Sequence, residues 1–173
     1  TWTDGSQYIG AFVANHLHGR GVLVWPDSTR YGGDFYGSEM HGKGSVFYPN
    51  GDQFTGDFRK GVRHGGGTYT FDDGRWLTAV FVGDTLLGSL TMRWPNGESY
   101  NGGDFREQCA GTYLFANGNV YSGGFIQGLP AGKGSYTDTA DNQYTGGWQD
   151  GRPSGTGQMT VADSLKGYVY NGG

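Results

Sequence analysis

The sequence predicts an all-β chain, an elongated single-layer antiparallel sheet of tandem β-hairpins. Composition is the first reason. With 36 glycines, 12 tyrosines, 10 phenylalanines and 5 tryptophans in 173 residues, the chain combines turn residues with large flat side chains, a mixture that suits strands and not helices. The second is recurrence. An aromatic or large apolar residue followed two places later by a small residue returns at Tyr8, Tyr31, Phe54, Leu77, Tyr100, Tyr121 and Tyr144, and its first position falls again at Tyr168, with a period of 23 residues that changes only at the 21-residue and 24-residue late intervals. The third is alternation within each copy, apolar on one side and polar on the other, as a half-buried strand requires.

Each unit reads as one hairpin. Tyr31-Gly32-Gly33-Asp34-Phe35 predicts a first strand, His41-Gly42-Lys43-Gly44 a turn, Ser45-Val46-Phe47-Tyr48 a second strand, and Pro49-Asn50-Gly51 the return. Gly and Asn-Gly supply the positive φ of tight turns, and Pro sits where no ladder donor is needed. The same pattern recurs at Phe71-Asp72-Asp73-Gly74 and Trp94-Pro95-Asn96-Gly97. This divides the chain into one array of about seven units, 8–30, 31–53, 54–76, 77–99, 100–120, 121–143 and 144–167, with incomplete units at both ends. Since the sequence opens without methionine and inside a unit, it reads as a fragment.

Three units depart from the pattern. The one starting at Leu77 has Leu87-Gly88-Ser89-Leu90 where a turn is expected, and the next is short, with Asp104-Phe105 displaced and Cys109-Ala110-Gly111 replacing the longer turn. The stretch 77–111 is therefore the expected place for a bend or altered binding. Asp138 stands where other units carry an aromatic.

Period-two alternation assigns the faces. Leu23, Val46, Tyr69, Met92, Tyr113, Tyr136 and Met159 share one face with Trp25, Tyr48, Phe71, Trp94 and Phe115, while Ser45, Thr68, Thr91, Thr112, Ser135 and Gln158 lead the other. A two-stranded hairpin is marginal alone, so units must stack edge to edge. No second layer is encoded, and the aromatic face must curl into a trough or be covered.

These units resemble the MORN repeat, the membrane occupation and recognition nexus motif, most fully at 31–53 and 54–76. The resemblance implies a scaffold of the kind found in cytoskeletal, ciliary or membrane-contact assemblies. It also implies elongated homodimers, or a partner helix held in the trough.

Composition excludes other classes. One cysteine, Cys109, rules out an internal disulfide framework and fits a reducing, cytoplasmic setting. No apolar run is long enough for a membrane helix, and there is no signal-peptide pattern. A net charge of -4 argues against nucleic acid. His18, His41 and His64 recur about 10 Å apart, too far for one metal, so they and His16 read as turn-shaping residues. His-Gly-x-Gly leads into a strand and not a helix, so it is no phosphate loop. The recurring Asp34, Asp57 and Asp104 read as solvated structural acids. No cofactor, metal site or catalytic pocket is expected, and the chain reads as a non-enzyme.

The leading candidate site is an aromatic trough of Tyr31, Phe35, Tyr48, Phe54, Phe58 and Phe71, binding a protein partner, a helix or a second copy of the chain. The alternative is a phosphoinositide or anionic-lipid surface made by Arg59, Lys60, Arg63 and Arg75.

Overall fold

The structure, a computed structural model, describes residues 1–104, 108–162 and the backbone of 168–171. It is all-β and antiparallel, and hydrogen-bonded neighbours are consecutive in sequence. The chain divides into two compact units, Thr1–Gly88 and Ser89–Gly173.

In the first unit, β1 (Gln7–Val13) pairs with β2 (His16–Val24), followed by β3 (Arg30–Tyr36), β4 (Glu39–Phe47), β5 (Gln53–Arg59), β6 (Val62–Thr70) and β7 (Trp76–Val82). β8 (Thr85–Arg93) begins there. In the second unit the end of β8 pairs with β9 (Ser99–Gly102), followed by β10 (Cys109–Leu114), β11 (Val120–Ile126), β12 (Leu129–Thr137), β13 (Gln143–Gln149), β14 (Arg152–Thr160) and β15 (Tyr168–Asn171).

The hairpin turn lies earlier than the sequence suggests. Gly37 and Ser38, both left-handed (φ 59° and 70°), form a two-residue turn between β3 and β4. Lys60-Gly61, Gly83-Asp84 and Gln127-Gly128 do the same. Two successive positive φ angles match the right-handed twist of the strands they join. His41-Gly42-Lys43-Gly44, read above as the turn, is instead part of β4. Its left-handed Gly42 creates a bulge, where the register with β3 jumps from Gly33↔Gly44 to Asp34↔His41. Leu87–Leu90 likewise belongs to β8, and Cys109–Gly111 to β10. Phe105, part of the displaced Asp104-Phe105 pair, lies outside the described residues.

The return between hairpins is a three-residue loop. Gly51 N–H donates to the Tyr48 carbonyl at 3.1 Å and Tyr48 N–H to the Asp52 carbonyl at 2.9 Å. Trp25, Phe71, Trp94 and Phe115 start loops with the same two bonds, and so does Asp138. Asp138 fills its aromatic-bearing slot by capping the loop, its Oδ1 accepting from Ala140 N and Asn142 N.

Candidate functional site

Tandem glycines shape the aromatic face of the first unit. Gly33 faces Gly44 across β3 and β4, Gly56 faces Gly67 across β5 and β6, and the Tyr31 and Phe54 rings lie flat on these pairs. A Cβ at Gly44 would stand 2.4 Å from Tyr31 Cε2, which shows how closely the ring sits on the backbone. The Tyr31 hydroxyl reaches past the glycines and donates to the Asp34 carbonyl at 2.9 Å. Edge-to-face contacts then run along the face: Tyr31 to Phe35 at 5.0 Å and to Phe58 at 5.1 Å, and Phe54 to Phe58 at 5.4 Å and to Phe81 at 5.3 Å. In the second unit Tyr121 packs in the same way against Phe125 and Trp148.

This packing divides the six expected trough residues. Tyr31 and Phe54 are fully buried and Phe35 and Phe58 nearly so. They form a closed floor with almost no surface for a partner. Tyr48 and Phe71 remain half-exposed.

Above that floor lies a groove of about 720 Å³ in the first unit. Trp25, Pro26 and Tyr48 flank it from the loops, Met40, Val46 and Phe58 line it from the strands, and Arg63 and Asp84 stand at the hairpin-turn end. Tyr48 is held by stacking on Tyr69, with ring centroids 6.0 Å apart and 30° between planes. Among the described residues, neither the Trp25 indole N–H nor the Tyr48 hydroxyl has a hydrogen-bond partner, and neither is a buried orphan. Both donors are therefore reached by solvent, on residues that line the groove. Burial pushes the Tyr48 phenol above its usual range; Arg63 opposes that shift, and the Asp84 and Asp52 carboxylates add to it.

Arg63 occupies the register position that Met40 and Leu17 hold in earlier hairpins, so a cation stands at an apolar position. Its guanidinium lies 5.5 Å from the Phe54 ring and 5.0 Å from that of Phe81. Its Nε donates to Asp84 Oδ1 at 2.7 Å, its backbone N–H to the same oxygen at 3.1 Å, and Nη2 to the Asp84 carbonyl at 3.3 Å. Arg75 is engaged similarly, with Nε 2.6 Å from Asp73 Oδ2 and the guanidinium over Phe71. Of the four basic residues in the lipid reading, only Arg59 and Lys60 are exposed without such contacts.

The opposite face carries cross-strand hydroxyl pairs, Ser45 with Thr55 at 2.8 Å and Thr68 with Thr78 at 3.2 Å. The Lys43–Asp57 pair lies beside them at 2.7 Å. His18 and His41 flank the Tyr36 ring, and His16 Nδ1 lies 3.3 Å from Ser38 Oγ. No three His, Cys, Asp or Glu side chains among the described residues are grouped to hold a metal ion. Cys109 Sγ lies 3.2 Å from the Tyr100 hydroxyl.

Sequence reasoning placed Trp25 on the aromatic face but left Trp25, Pro26, Met40 and Asp84 out of the site. The available signal was Arg63, a charge in an otherwise apolar register position.

Comparison with known proteins completes the description. The MORN repeat family model matches residues 8–30, 31–53, 54–74, 121–141 and 144–165. No curated protein matches the sequence. Among solved structures, the chain is similar to the SAS-4 (dCPAP) TCP domain of Drosophila melanogaster, solved in complex with a proline rich motif of Ana2 (dSTIL). The identity is 11% and the TM-score 0.62, over 99% of this chain and 93% of that one. The wild-type TCP10 domain of Danio rerio CPAP is 14% identical with a TM-score of 0.38, over 98% and 95% of the two chains.

Proposed function

Because this chain belongs to the MORN repeat family, we propose that it is a non-catalytic protein-binding scaffold whose groove between Trp25, Pro26 and Tyr48 holds an extended segment of a partner protein. The observation that carries this reading is the pair of solvent-reached donors, Trp25 N–H and Tyr48 O–H, set above apolar walls over a floor of rings, Tyr31, Phe54 and Phe58, that are closed against one another. An extended proline-rich segment suits such a groove. Its backbone carbonyls are free to accept, and its rings pack on aromatic walls at little entropic cost. The similar SAS-4 domain is in complex with a proline rich motif, which supports the same partner class here. A helix or a second copy of the chain would need a broad apolar face, and the buried floor of Tyr31, Phe35, Phe54 and Phe58 offers it little surface. The family resemblance supports a setting in a cytoskeletal or ciliary assembly.

Titrating the chain with a fluorescein-labelled oligoproline peptide tests the reading. Binding is expected, and Trp25→Ala with Tyr48→Ala should weaken it at least about tenfold, as loss of aromatic anchors does. Equal affinity in a folded double variant, shown by unchanged circular dichroism, would overturn it.

A further inference from the structure

We infer that the proline-rich segment is read in steps of three residues, one polyproline turn for each 23-residue copy, along a row of donors that starts at Trp2. The inference rests on the groove reading above and adds the partner's period and a third contact. Trp2, Trp25 and Tyr48 stand at steps of 23 residues. Each opens a return loop with the same backbone bonds, Trp2 N–H donating to the Ser6 carbonyl at 2.8 Å and Gly5 N–H to the Trp2 carbonyl at 3.1 Å. The first two loops lie side by side. A Cβ on Gly5 would stand 4.0 Å from Pro26 Cγ, so the Trp2 loop abuts the wall of the groove. Trp2 is 44% exposed, and its indole N–H, like that of Trp25, has no hydrogen-bond partner among the described residues. Phe71 takes the next step but carries no donor, and the Arg75 guanidinium lies 4.7 Å from its ring. The row in this unit therefore runs from Trp2 to Tyr48.

Spacing decides which backbone can use that row. Two strands separate one loop from the next, an advance of about 9.6 Å. Polyproline II turns once in three residues and advances about 9.3 Å, so over two steps it drifts by only about 0.6 Å. A β-strand shows the same side about every 6.7 Å. An α-helix does so about every 5.4 Å, or about 10.8 Å in two turns. Each of these loses phase by about 1 Å or more at every step. A polyproline helix makes no internal hydrogen bonds, so all its carbonyls are free, and those three residues apart meet successive donors.

The experiment compares fluorescein-labelled peptides by anisotropy. Nonaproline spans three donors and hexaproline two, so nonaproline should bind about fivefold tighter, the size of one further aromatic anchor. Trp2→Ala, at an exposed ring and checked by circular dichroism, should erase that gain. Two nonapeptides of identical composition test the period. Alanine at every third position leaves two of the three faces all proline, whereas alanine at the third, fifth and seventh positions puts one on each face. The first should match nonaproline, and the second should bind about threefold more weakly, as loss of one packed methylene does. Equal affinity of the two nonapeptides would overturn the period, and a nonaproline gain that is missing or survives Trp2→Ala would overturn the third contact. In either case binding that is still weakened by Trp25→Ala leaves the groove reading standing. Failure of every peptide to bind would remove both.

Discussion

Replacing Gly44 by alanine tests whether rings lying on glycine pairs hold this chain together. The added Cβ would lie 2.4 Å from Tyr31 Cε2 and Oη and 2.5 Å from Cζ, against a carbon contact optimum of about 3.5–4.0 Å. The ring must therefore retreat by about 1 Å. It has nowhere to go, because Phe35 and Phe58 present their edges to it at 5.0 and 5.1 Å. Retreat also stretches the 2.9 Å bond from the Tyr31 hydroxyl to the Asp34 carbonyl. Overpacking costs about 1–3 kcal/mol and the hydrogen bond about 1 kcal/mol. The lower entropy of the unfolded alanine chain offsets about 0.4–1 kcal/mol, so the net loss should be about 2–3 kcal/mol. Gly66→Ala is the matched control: its φ is not left-handed and nothing lies within 4 Å of the new carbon, so it should be neutral or slightly stabilising. Urea unfolding followed by circular dichroism, compared at constant slope, measures both. In a Tyr31→Leu background, whose side chain stops short of the glycines, the Gly44→Ala penalty should fall. Equal midpoint shifts for Gly44→Ala and Gly66→Ala would refute the reasoning.

Two further outcomes concern protons. Burial, with a smaller contribution from Asp34, pushes the Tyr31 phenol up to about 12, and burial with the Glu98 contact does the same for Tyr113. The stabilisation from keeping these phenols neutral is complete below the ordinary tyrosine value near 10 and is lost as pH rises toward 12. Thermal melts should be flat below about pH 9 and fall steeply above 10, and a melt unchanged to pH 12 would contradict the burial of these rings. The Tyr69 hydroxyl donates to Asp52 at 2.7 Å and is the largest cause of that carboxyl's lowered value, ahead of the Asp72 N–H. Its stabilisation is present above the ordinary aspartate value and lost as pH falls through the folded one. Tyr69→Phe should therefore raise the Asp52 midpoint in an NMR titration, and an unmoved midpoint would show that the hydroxyl does not hold the acid.

Strand identity and facing were legible because alternation has a period of two, and Tyr31, Val46 and Phe54 can share a side only in the observed way. Turn position was not. A glycine with positive φ serves a two-residue turn at Gly61 and a bulge at Gly42, and the sequence marks both with the same letter. Alternation also fixes the side on which a ring emerges but not its tilt. The six aromatics of the trough therefore looked equally available, whereas the bare backbone at Gly33 and Gly44 lets Tyr31 lie down and close the floor. The groove depends on which rings stand clear of a glycine pair, and Trp25 and Tyr48 do so because they begin loops.

The contacts of Tyr8 with Phe35, Tyr31 with Phe58 and Phe54 with Phe81 each join one 23-residue copy to the next. Every copy in this part of the chain thus borrows the closing ring of its hydrophobic contact from its successor. Such a chain behaves as a row of interlocked tiles: a cut at the same point of two copies restores every joint after a whole tile is removed, and a cut elsewhere leaves one ring without its cover. Lengthening or shortening by whole copies is therefore the change this architecture absorbs most readily, and the groove, drawn from four successive copies between Trp25 and Asp84, is kept wherever those copies stay in order.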